Sequence, residues 1–150
     1  MDKRKMASWE DREGQCHEQI LREVAIMKQL HHKNTVRLFE ALDDPSNERV
    51  FLVMEFVSGG PAMELGGNTA VEPLEVDVAW AHFRDLLTAI EYLHFNNVLH
   101  RDIKPENLLV AHDGSLKVAD FGVSRMHEGS DLLKQGAGTT VFQAPETFGE

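Results

Sequence analysis

The sequence predicts an α+β fold, because helical and strand patterns occupy separate stretches of its 150 residues. Apolar residues recur at helical spacing over about 17–30 and over 76–96, and the second run is the longest predicted helix. Residues 35–42 and 50–57 are rich in side chains typical of strands, and the turn-forming residues between them favour an antiparallel pair. A chain of this length can bury the core of one domain.

Composition and charge limit the classes of partner and compartment. The hydrophobic fraction of 42% and the charged fraction of 27% are those of a globular protein. The net charge of −10 argues against nucleic acid and against an anionic membrane surface, because both require a basic face, whereas a basic peptide suits it better. Cys16 is the single cysteine, so no internal disulfide is expected and a reducing compartment fits. The sequence contains no apolar run of transmembrane length and no signal-peptide core, so we expect the protein to be located in the cytoplasm or the nucleus.

The N-terminal part contains one carboxylate that requires a partner and one pair of histidines. Residues 1–16 are polar and aperiodic, and we interpret them as a loop. On the helix that follows, Glu23 lies beside the apolar stripe, where a carboxylate must be paired to be tolerated. His31 and His32 lie at the end of this helix without a third ligand nearby, so capping and packing are favoured over metal binding.

The C-terminal half contains a predicted hairpin that gathers polar side chains. Apolar runs at 108–110 and 116–118 are typical of short strands, and Asp113-Gly114 between them supplies the turn. Because a hairpin folds back on itself, it brings the loop at 102–107 and Asp120 to the same end. We therefore expect two carboxylates, an ammonium group and an amide to share a small volume.

These side chains are suited to phosphoryl transfer. Asp102 can accept a hydroxyl proton. Asn107 and Asp120 can hold Mg²⁺ through hard oxygen ligands, and Lys104 can neutralise charge on the migrating phosphoryl group. The predicted catalytic residues are therefore Asp102, Lys104 and Asn107, and the predicted metal ligands are Asn107 and Asp120.

Three motifs in this half resemble those of eukaryotic-type protein kinases. They are H-R-D-x-x-x-x-N at 100–107, D-F-G at 120–122 and A-P-E at 144–146. Charged residues that are simply solvated in loops would not explain three motifs in this order and spacing. The resemblance implies a kinase-like bilobal fold that is incomplete here, with an N-lobe remnant at 17–57 and an upper C-lobe, including the catalytic and activation loops, at 58–150.

The same resemblance implies a site for ATP and Mg²⁺. Glu23 is expected to pair with the ATP-binding lysine of the family. The backbone of Glu55 and Val57 is expected to meet the adenine beside Met54, which stands at the gatekeeper position, and Leu109 is expected to contact the nucleotide.

Several shorter strings resemble the calcium/calmodulin-dependent protein kinase kinases and the plant kinases that activate relatives of the AMP-activated kinase. These strings lie at 42–45, 60–64, 120–124 and 129–131. The resemblance implies transfer to serine or threonine of protein substrates, in particular the activation loops of other kinases. It also implies calmodulin as a partner, through a segment that is not present in these residues.

Departures from the family pattern leave alternatives open. The glycine-rich loop and the strand with the ATP lysine are expected before Met1, and Lys3 and Lys5 lack the sequence context of that lysine. We therefore expect negligible kinase activity from the 150 residues alone. The second hypothesis for the function is a pseudokinase or regulatory fragment that acts as a binding module. A metal-binding module built from Asp102, Asp120 and histidines is the third, which the dispersed histidines disfavour.

Overall fold

The computed structural model describes residues 4–9, 24–44, 49–63, 73–120, 125–126 and 139–145. In chain order the elements are β1 (Arg4–Trp9), α1 (24–29), β2 (Leu38–Asp44), β3 (Arg49–Glu55), α2 (Val76–Phe95), β4 (Val98–Leu99), a 3₁₀ helix (Pro105–Asn107), β5 (Leu108–Val110), β6 (Leu116–Val118), β7 (Arg125–Met126) and a second 3₁₀ helix (Thr140–Phe142). Helices and small antiparallel sheets together confirm the predicted α+β class. In these ranges no helix is long and apolar enough to span a membrane.

Three strands form the largest sheet, in the order β1-β3-β2. β1 pairs antiparallel with β3 along its whole length, beginning with Arg4 opposite Glu55. The prediction of a loop over 1–16 is therefore wrong for 4–9, and the rest of that segment lies outside the described residues. The sequence of β1 does not alternate between apolar and polar residues, and its main-chain hydrogen bonds pair it with β3.

The predicted antiparallel pair of strands is confirmed as β2 and β3, with a shifted start. β2 begins at Leu38 rather than at residue 35. The backbone of Thr35 and Val36 pairs instead with Val118 on β6, and the Val36 N–H donates to Val118 O over 2.8 Å. The first residues of the predicted strand therefore connect the sheet to the hairpin instead of extending the sheet.

The main apolar core lies between α1, the sheet and the end of α2. It contains Val24, Met27, Leu30, Leu38, Val50, Leu52, Leu93 and Val98. Tyr92 of α2 fixes the loop after α1, because its hydroxyl accepts the His31 N–H over 2.8 Å and its ring stacks on that of His32 at a centroid distance of 4.8 Å. The helix predicted at 17–30 is confirmed where the structure describes it, at 24–29. The predicted packing is seen for the His32 ring, whereas His31 is exposed.

The longest helix has the predicted bounds, and most of its apolar face is exposed. After α2 ends, Asn97 adopts a left-handed φ of 57° and stops the helix. Ala89 and Leu93 are the buried residues of α2, and both lie in its C-terminal half. Large apolar side chains are exposed on the rest of the helix: Val76, Val78, Trp80, Phe83, Leu87 and Phe95. The described neighbours of α2 therefore leave most of its apolar face open.

β5 and β6 form the predicted hairpin, which α2 supports from one side. Asp113 shapes the turn, because its Oδ1 accepts both the N–H and the hydroxyl of Ser115, over 3.0 and 2.6 Å, while Gly114 adopts φ 82°. Asp85 on α2 accepts the Leu116 N–H over 2.8 Å. The long helix thereby fixes the start of β6.

Residues 56–63, called the connector below, run from the sheet to the hairpin. The Gly59 N–H donates to Val110 O over 2.9 Å, and the Val110 N–H donates to Gly60 O over 2.8 Å. A Cβ atom added to Gly59 would overlap Val110 O, so this close approach of two backbones requires glycine.

Candidate active site

The predicted catalytic loop begins where β4 ends, at a buried histidine. His100 is 5% exposed, and its Nε2 lies 3.0 Å from the carbonyl oxygen of Ala119, just after β6. Its Nδ1 accepts the Asp102 N–H over 3.3 Å. One donating and one accepting nitrogen correspond to a neutral imidazole, and burial lowers the pKa of His100, which favours the same form. His100 therefore fastens the loop to the strand that leads to Asp120.

Asp102 is the centre of a hydrogen-bond network. The Lys104 Nζ lies 2.8 Å from its Oδ2, and the Asn107 Nδ2 donates to the same oxygen over 3.0 Å. Its Oδ1 accepts both the backbone N–H and the hydroxyl of Thr139, each over 2.8 Å. Burial alone would raise the pKa of Asp102, but the hydrogen bonds from Lys104 and Thr139 lower it to about 2. Asp102 is therefore an anion at neutral pH, with its carboxylate fixed in position.

Lys104 connects this carboxylate to the segment that contains Thr139. Its Nζ donates to the Thr139 hydroxyl over 2.8 Å, and the hydrogen bond to Asp102 raises the pKa of Lys104. The ammonium group is therefore charged, and because the side chain is 21% exposed it can also reach a second anion. The predicted clustering of Asp102, Lys104 and Asn107 is thus present in the structure.

Asn107 and Asp120 are the two predicted Mg²⁺ ligands. The buried Asn107 donates its Nδ2 to the backbone and carboxylate oxygens of Asp102, over 2.9 and 3.0 Å, so its Oδ1 is the atom that can face a cation. The Asn107 carbonyl accepts the Ala119 N–H over 2.8 Å, which holds the residue before Asp120 against the loop. Asp120 has a left-handed φ of 62°, and its charge lies close enough to act on Lys104.

These donors fit Mg²⁺ that is held together with a nucleotide rather than a metal held by protein alone. In the ranges that the structure describes, no group of three or more His, Cys, Asp or Glu side chains could hold a metal ion. Mg²⁺ typically takes one or two carboxylates and completes its shell with phosphate oxygens and water. The Asn107 amide oxygen and the Asp120 carboxylate are the protein ligands that such a Mg²⁺ site requires. The described ranges contain no cluster of side chains that would support the alternative of a separate metal-binding module.

The predicted nucleotide contacts lie where β3 passes into the connector and on β5. The Glu55 N–H donates to Arg37 O over 2.8 Å, so the strand is still paired at its last residue. Val57 and Leu109 are both half-buried. Glu23, predicted to pair with an ATP-binding lysine, lies outside the described residues.

β1 brings a lysine to this part of the sheet. Its register places Lys5 opposite Met54, the predicted gatekeeper. That Lys5 does not replace the ATP-binding lysine stays a prediction, because the register fixes only the backbone position of Lys5.

Lys117 is a charged residue near the predicted nucleotide contacts that the sequence reasoning missed. Its Nζ lies 3.0 Å from Glu55 Oε1 and donates to Lys33 O over 2.8 Å. The sequence pattern could have identified it, because Lys117 lies between Leu116 and Val118 in a predicted strand. Successive side chains of a strand point to opposite faces, so Lys117 faces away from these two buried residues.

Comparison with known proteins gives a family and several relatives. The model of the protein kinase domain family matches residues 2–150. A calcium/calmodulin-dependent protein kinase kinase of Caenorhabditis elegans is 47% identical over 132 residues, which cover 87% of this chain and 24% of that protein. The serine/threonine-protein kinase GRIK2 of Arabidopsis thaliana is 42% identical over 135 residues, covering 85% of this chain and 31% of the relative. The serine/threonine-protein kinase ssp1 of Schizosaccharomyces pombe is also 42% identical over 135 residues, covering 86% and 20%. The chain thus spans between 20% and 31% of the length of these three relatives.

Proposed function

The chain belongs to the protein kinase family, and we propose that its activity is transfer of the γ-phosphoryl group of ATP to serine or threonine side chains of protein substrates. The resemblance seen in its motifs, to protein kinases and within them to the calcium/calmodulin-dependent protein kinase kinases and related plant kinases, is confirmed by the family match and the relatives. The observation that carries the proposal is the carboxylate of Asp102 held between Lys104, Asn107 and Thr139.

Asp102 orients the acceptor hydroxyl in this proposal. With a pKa of about 2, its carboxylate is a weak base toward an alcohol, so the proton moves only after the bond from oxygen to phosphorus has largely formed. The hydroxyl oxygen bonds to the γ-phosphorus, the bond from that phosphorus to the bridging oxygen of ADP breaks, and Asp102 takes the hydroxyl proton. A loose transition state requires little activation of the nucleophile, so accurate positioning is the main contribution of Asp102.

Lys104 stabilises charge on the group that is transferred. Its ammonium lies 2.8 Å from Asp102, so a phosphoryl group that moves to a hydroxyl bound at Asp102 comes within its reach. Negative charge is spread over the equatorial oxygens of that group in the transition state, and a fixed cation beside them lowers the barrier.

ATP and Mg²⁺ are the proposed cofactors. When bound, Mg²⁺ neutralises and orients the phosphates. We assign the Asn107 Oδ1 and the Asp120 carboxylate to hold it. The Glu55 carbonyl and the Val57 N–H are assigned to the adenine edge, Leu109 to its face, and Glu23 to the ATP-binding lysine.

The proposed substrate is a protein, and specifically the activation loop of another kinase. The name of the relative from C. elegans supports this, because that protein is a kinase of kinases. Calmodulin is a proposed partner on the same ground. The net charge of −10 favours a basic peptide, and Val141 and Phe142, both exposed beside Thr139, offer it an apolar surface. A catalytically inactive binding module is not favoured, since Asp102, Lys104 and Asn107 are all in place.

The test is phosphoryl transfer from labelled ATP to a protein substrate. The purified chain, from which negligible transfer is expected, is compared with a chimera in which it replaces the matching segment of the C. elegans relative, and the rates below are those of the chimera. Asp102→Ala should lower the rate by about 10²–10⁴ because the hydroxyl is no longer positioned. Asp77→Ala, on the exposed first turn of α2, is the matched control and should leave the rate unchanged. Transfer that is absent from both proteins, or that survives Asp102→Ala, would overturn the proposal.

A further inference from the structure

Lys117 on β6 forms an ion pair with the last residue of β3. Its Nζ lies 3.0 Å from Glu55 Oε1 and 3.2 Å from Oε2. The two side chains are 14% and 29% exposed, so water screens this pair less than it screens a pair on the open surface.

Each partner of this pair has a second, independent contact. The Lys117 Nζ also donates to Lys33 O over 2.8 Å, in the loop after α1. The Glu55 Oε2 also accepts the Arg37 N–H over 3.3 Å, and the Glu55 N–H donates to Arg37 O over 2.8 Å. The backbone of Arg37 therefore holds both the backbone and the side chain of Glu55, and Lys117 on β6 also holds the side chain.

The same lysine lies beside a second predicted nucleotide contact. Leu109 is directly opposite Lys117 in the register of β5 and β6, and residues paired in this way place their side chains on one face of a hairpin. The strand that carries Leu109 is bonded to the connector at Gly59 and Gly60. Lys117 thus contacts Glu55, the residue that precedes the connector, and lies opposite β5, the strand to which the connector is bonded.

We infer that Lys117 is a positioning residue for the nucleotide. By holding Glu55, it keeps the Glu55 backbone and Leu109, two of the predicted contacts of the adenine, at a fixed distance from each other. The inference rests on the proposed function, since it concerns how the chain binds ATP. Lys117 touches neither the phosphates nor the acceptor hydroxyl in this assignment. Its loss should therefore weaken nucleotide binding and leave the phosphoryl-transfer step almost unchanged.

The variant Lys117→Met tests this, because methionine retains an unbranched apolar side chain and removes the charge. We expect the dissociation constant of the chimera for Mg²⁺-ATP, measured by calorimetry, to rise about five- to tenfold, which is less than the full effect of a hydrogen bond to a charged group because Lys117 acts on the nucleotide only through Glu55. In the chimera, the KM for ATP should rise by a similar factor with kcat within about twofold. Hydrogen exchange at the Glu55 amide should accelerate in the chain without nucleotide, because the bond to Arg37 O is no longer held.

Two further variants distinguish positioning from a general loss of structure. Lys117→Arg retains the cation and should restore most of the affinity and the slow exchange at Glu55. Lys28→Met removes a lysine from the exposed side of α1 and should change neither quantity.

The outcomes separate this inference from the proposed function. Unchanged affinity and unchanged exchange in Lys117→Met would overturn the positioning role and leave the kinase proposal standing. A fall in kcat with a constant KM would overturn it as well, since it would assign Lys117 to the chemical step. Failure of the unsubstituted chain and the chimera to bind ATP would overturn the nucleotide site itself, and the positioning role with it, even where exchange at Glu55 still depends on Lys117.

Discussion

At the scale of single residues, the neighbours of Asp102 determine what its carboxylate can do. The side chains of Lys104, Asn107 and Thr139 and the backbone amide of Thr139 donate to it. Burial opposes the effect, but the hydrogen bonds from Lys104 and Thr139 lower its pKa to about 2. An ordinary surface aspartate would be free to rotate, whereas this one has both oxygens engaged. The sequence motif identifies the residue, but only the fold brings Thr139 into contact with it across a long stretch of chain.

Thr139→Val should impair catalysis through Asp102. Valine has nearly the same shape but removes the hydroxyl that donates to Asp102 and accepts from Lys104, each over 2.8 Å. Loss of a hydrogen bond to a charged group is worth about 1.5–3 kcal/mol, so kcat in the chimera should fall about 10- to 100-fold. The pKa of Asp102, followed by carbon NMR of its carboxyl group, should move upward. Thr139→Ser restores the hydroxyl and should recover both values, and a fully active valine variant would contradict the assigned network.

His100 should make the stability of the chain dependent on pH. In the unfolded chain its pKa is the ordinary 6.5, and burial lowers the pKa in the folded chain. Below that pH the unfolded state therefore binds more protons than the folded state, and the free energy of unfolding falls as the solution becomes more acidic. Burial and the charges of Lys33 and Lys117 lower the pKa of His32 too, so it acts in the same direction.

Urea titrations between about pH 7.5 and pH 5 should show this decline. His100→Asn should flatten the dependence, whatever its effect on stability at neutral pH. If the free energy of unfolding fell equally steeply with pH in the variant and in the unsubstituted chain, His100 would be excluded as the source of the pH dependence.

At the scale of elements, predictions from sequence were correct where an element depends on residues close together in the chain, and wrong where it depends on pairing with a distant strand. The hairpin and α2 follow from turn residues and from a helical repeat within one short segment. β1 could not be predicted in this way, because its strand pairs with β3 across the sequence and its side chains show no alternation. Thr35 and Val36 have strand-forming side chains, but their backbone pairs with β6 instead of β3.

Gly59→Ala should disturb the connector more than Gly60→Ala does. The added Cβ of Gly59 would overlap Val110 O, so two hydrogen-bonded backbones must separate, at a cost of about 1–3 kcal/mol. Gly60 has open space around it and a φ of 72°, so alanine there costs only about 1 kcal/mol of backbone strain. Thermal or urea unfolding of both variants gives the comparison, and an equal or smaller loss at Gly59 would show that the connector adapts.

At the scale of the whole molecule, the apolar surface is unevenly covered. One core joins α1, the sheet and the end of α2, whereas the N-terminal half of α2 presents Trp80 at 60% and Val76 at 69% exposure. The described residues do not cover this face. The apolar repeat alone could not distinguish a buried face from an open one, because both follow the same spacing.

The open face of α2 should bind an apolar dye, and the double variant Trp80→Gln, Leu87→Gln should reduce that binding. Both residues are exposed, so we expect the free energy of unfolding to change by no more than about 0.5 kcal/mol per substitution. Leu93→Ala, at a residue only 1% exposed, is the contrasting variant and should cost about 2–5 kcal/mol. Dye fluorescence and urea unfolding measure the two effects. A large loss of stability in the glutamine variant would mean that this face is covered in solution.

The strand order β1-β3-β2 leaves β2 at one side of the described sheet, with Phe39 and Leu42 40% and 45% exposed upon it. A strand in that position can recruit an identical strand from another molecule and start a cross-β fibril. Glu40 and Asp43 interrupt the apolar residues of β2, and in a parallel, in-register stack each would face its own copy at a spacing of about 4.8 Å. Like charges so close oppose such growth. Glu40→Gln with Asp43→Asn should therefore shorten the lag before thioflavin fluorescence rises, whereas removing the same number of charges from α2, by Asp77→Asn with Glu91→Gln, should not.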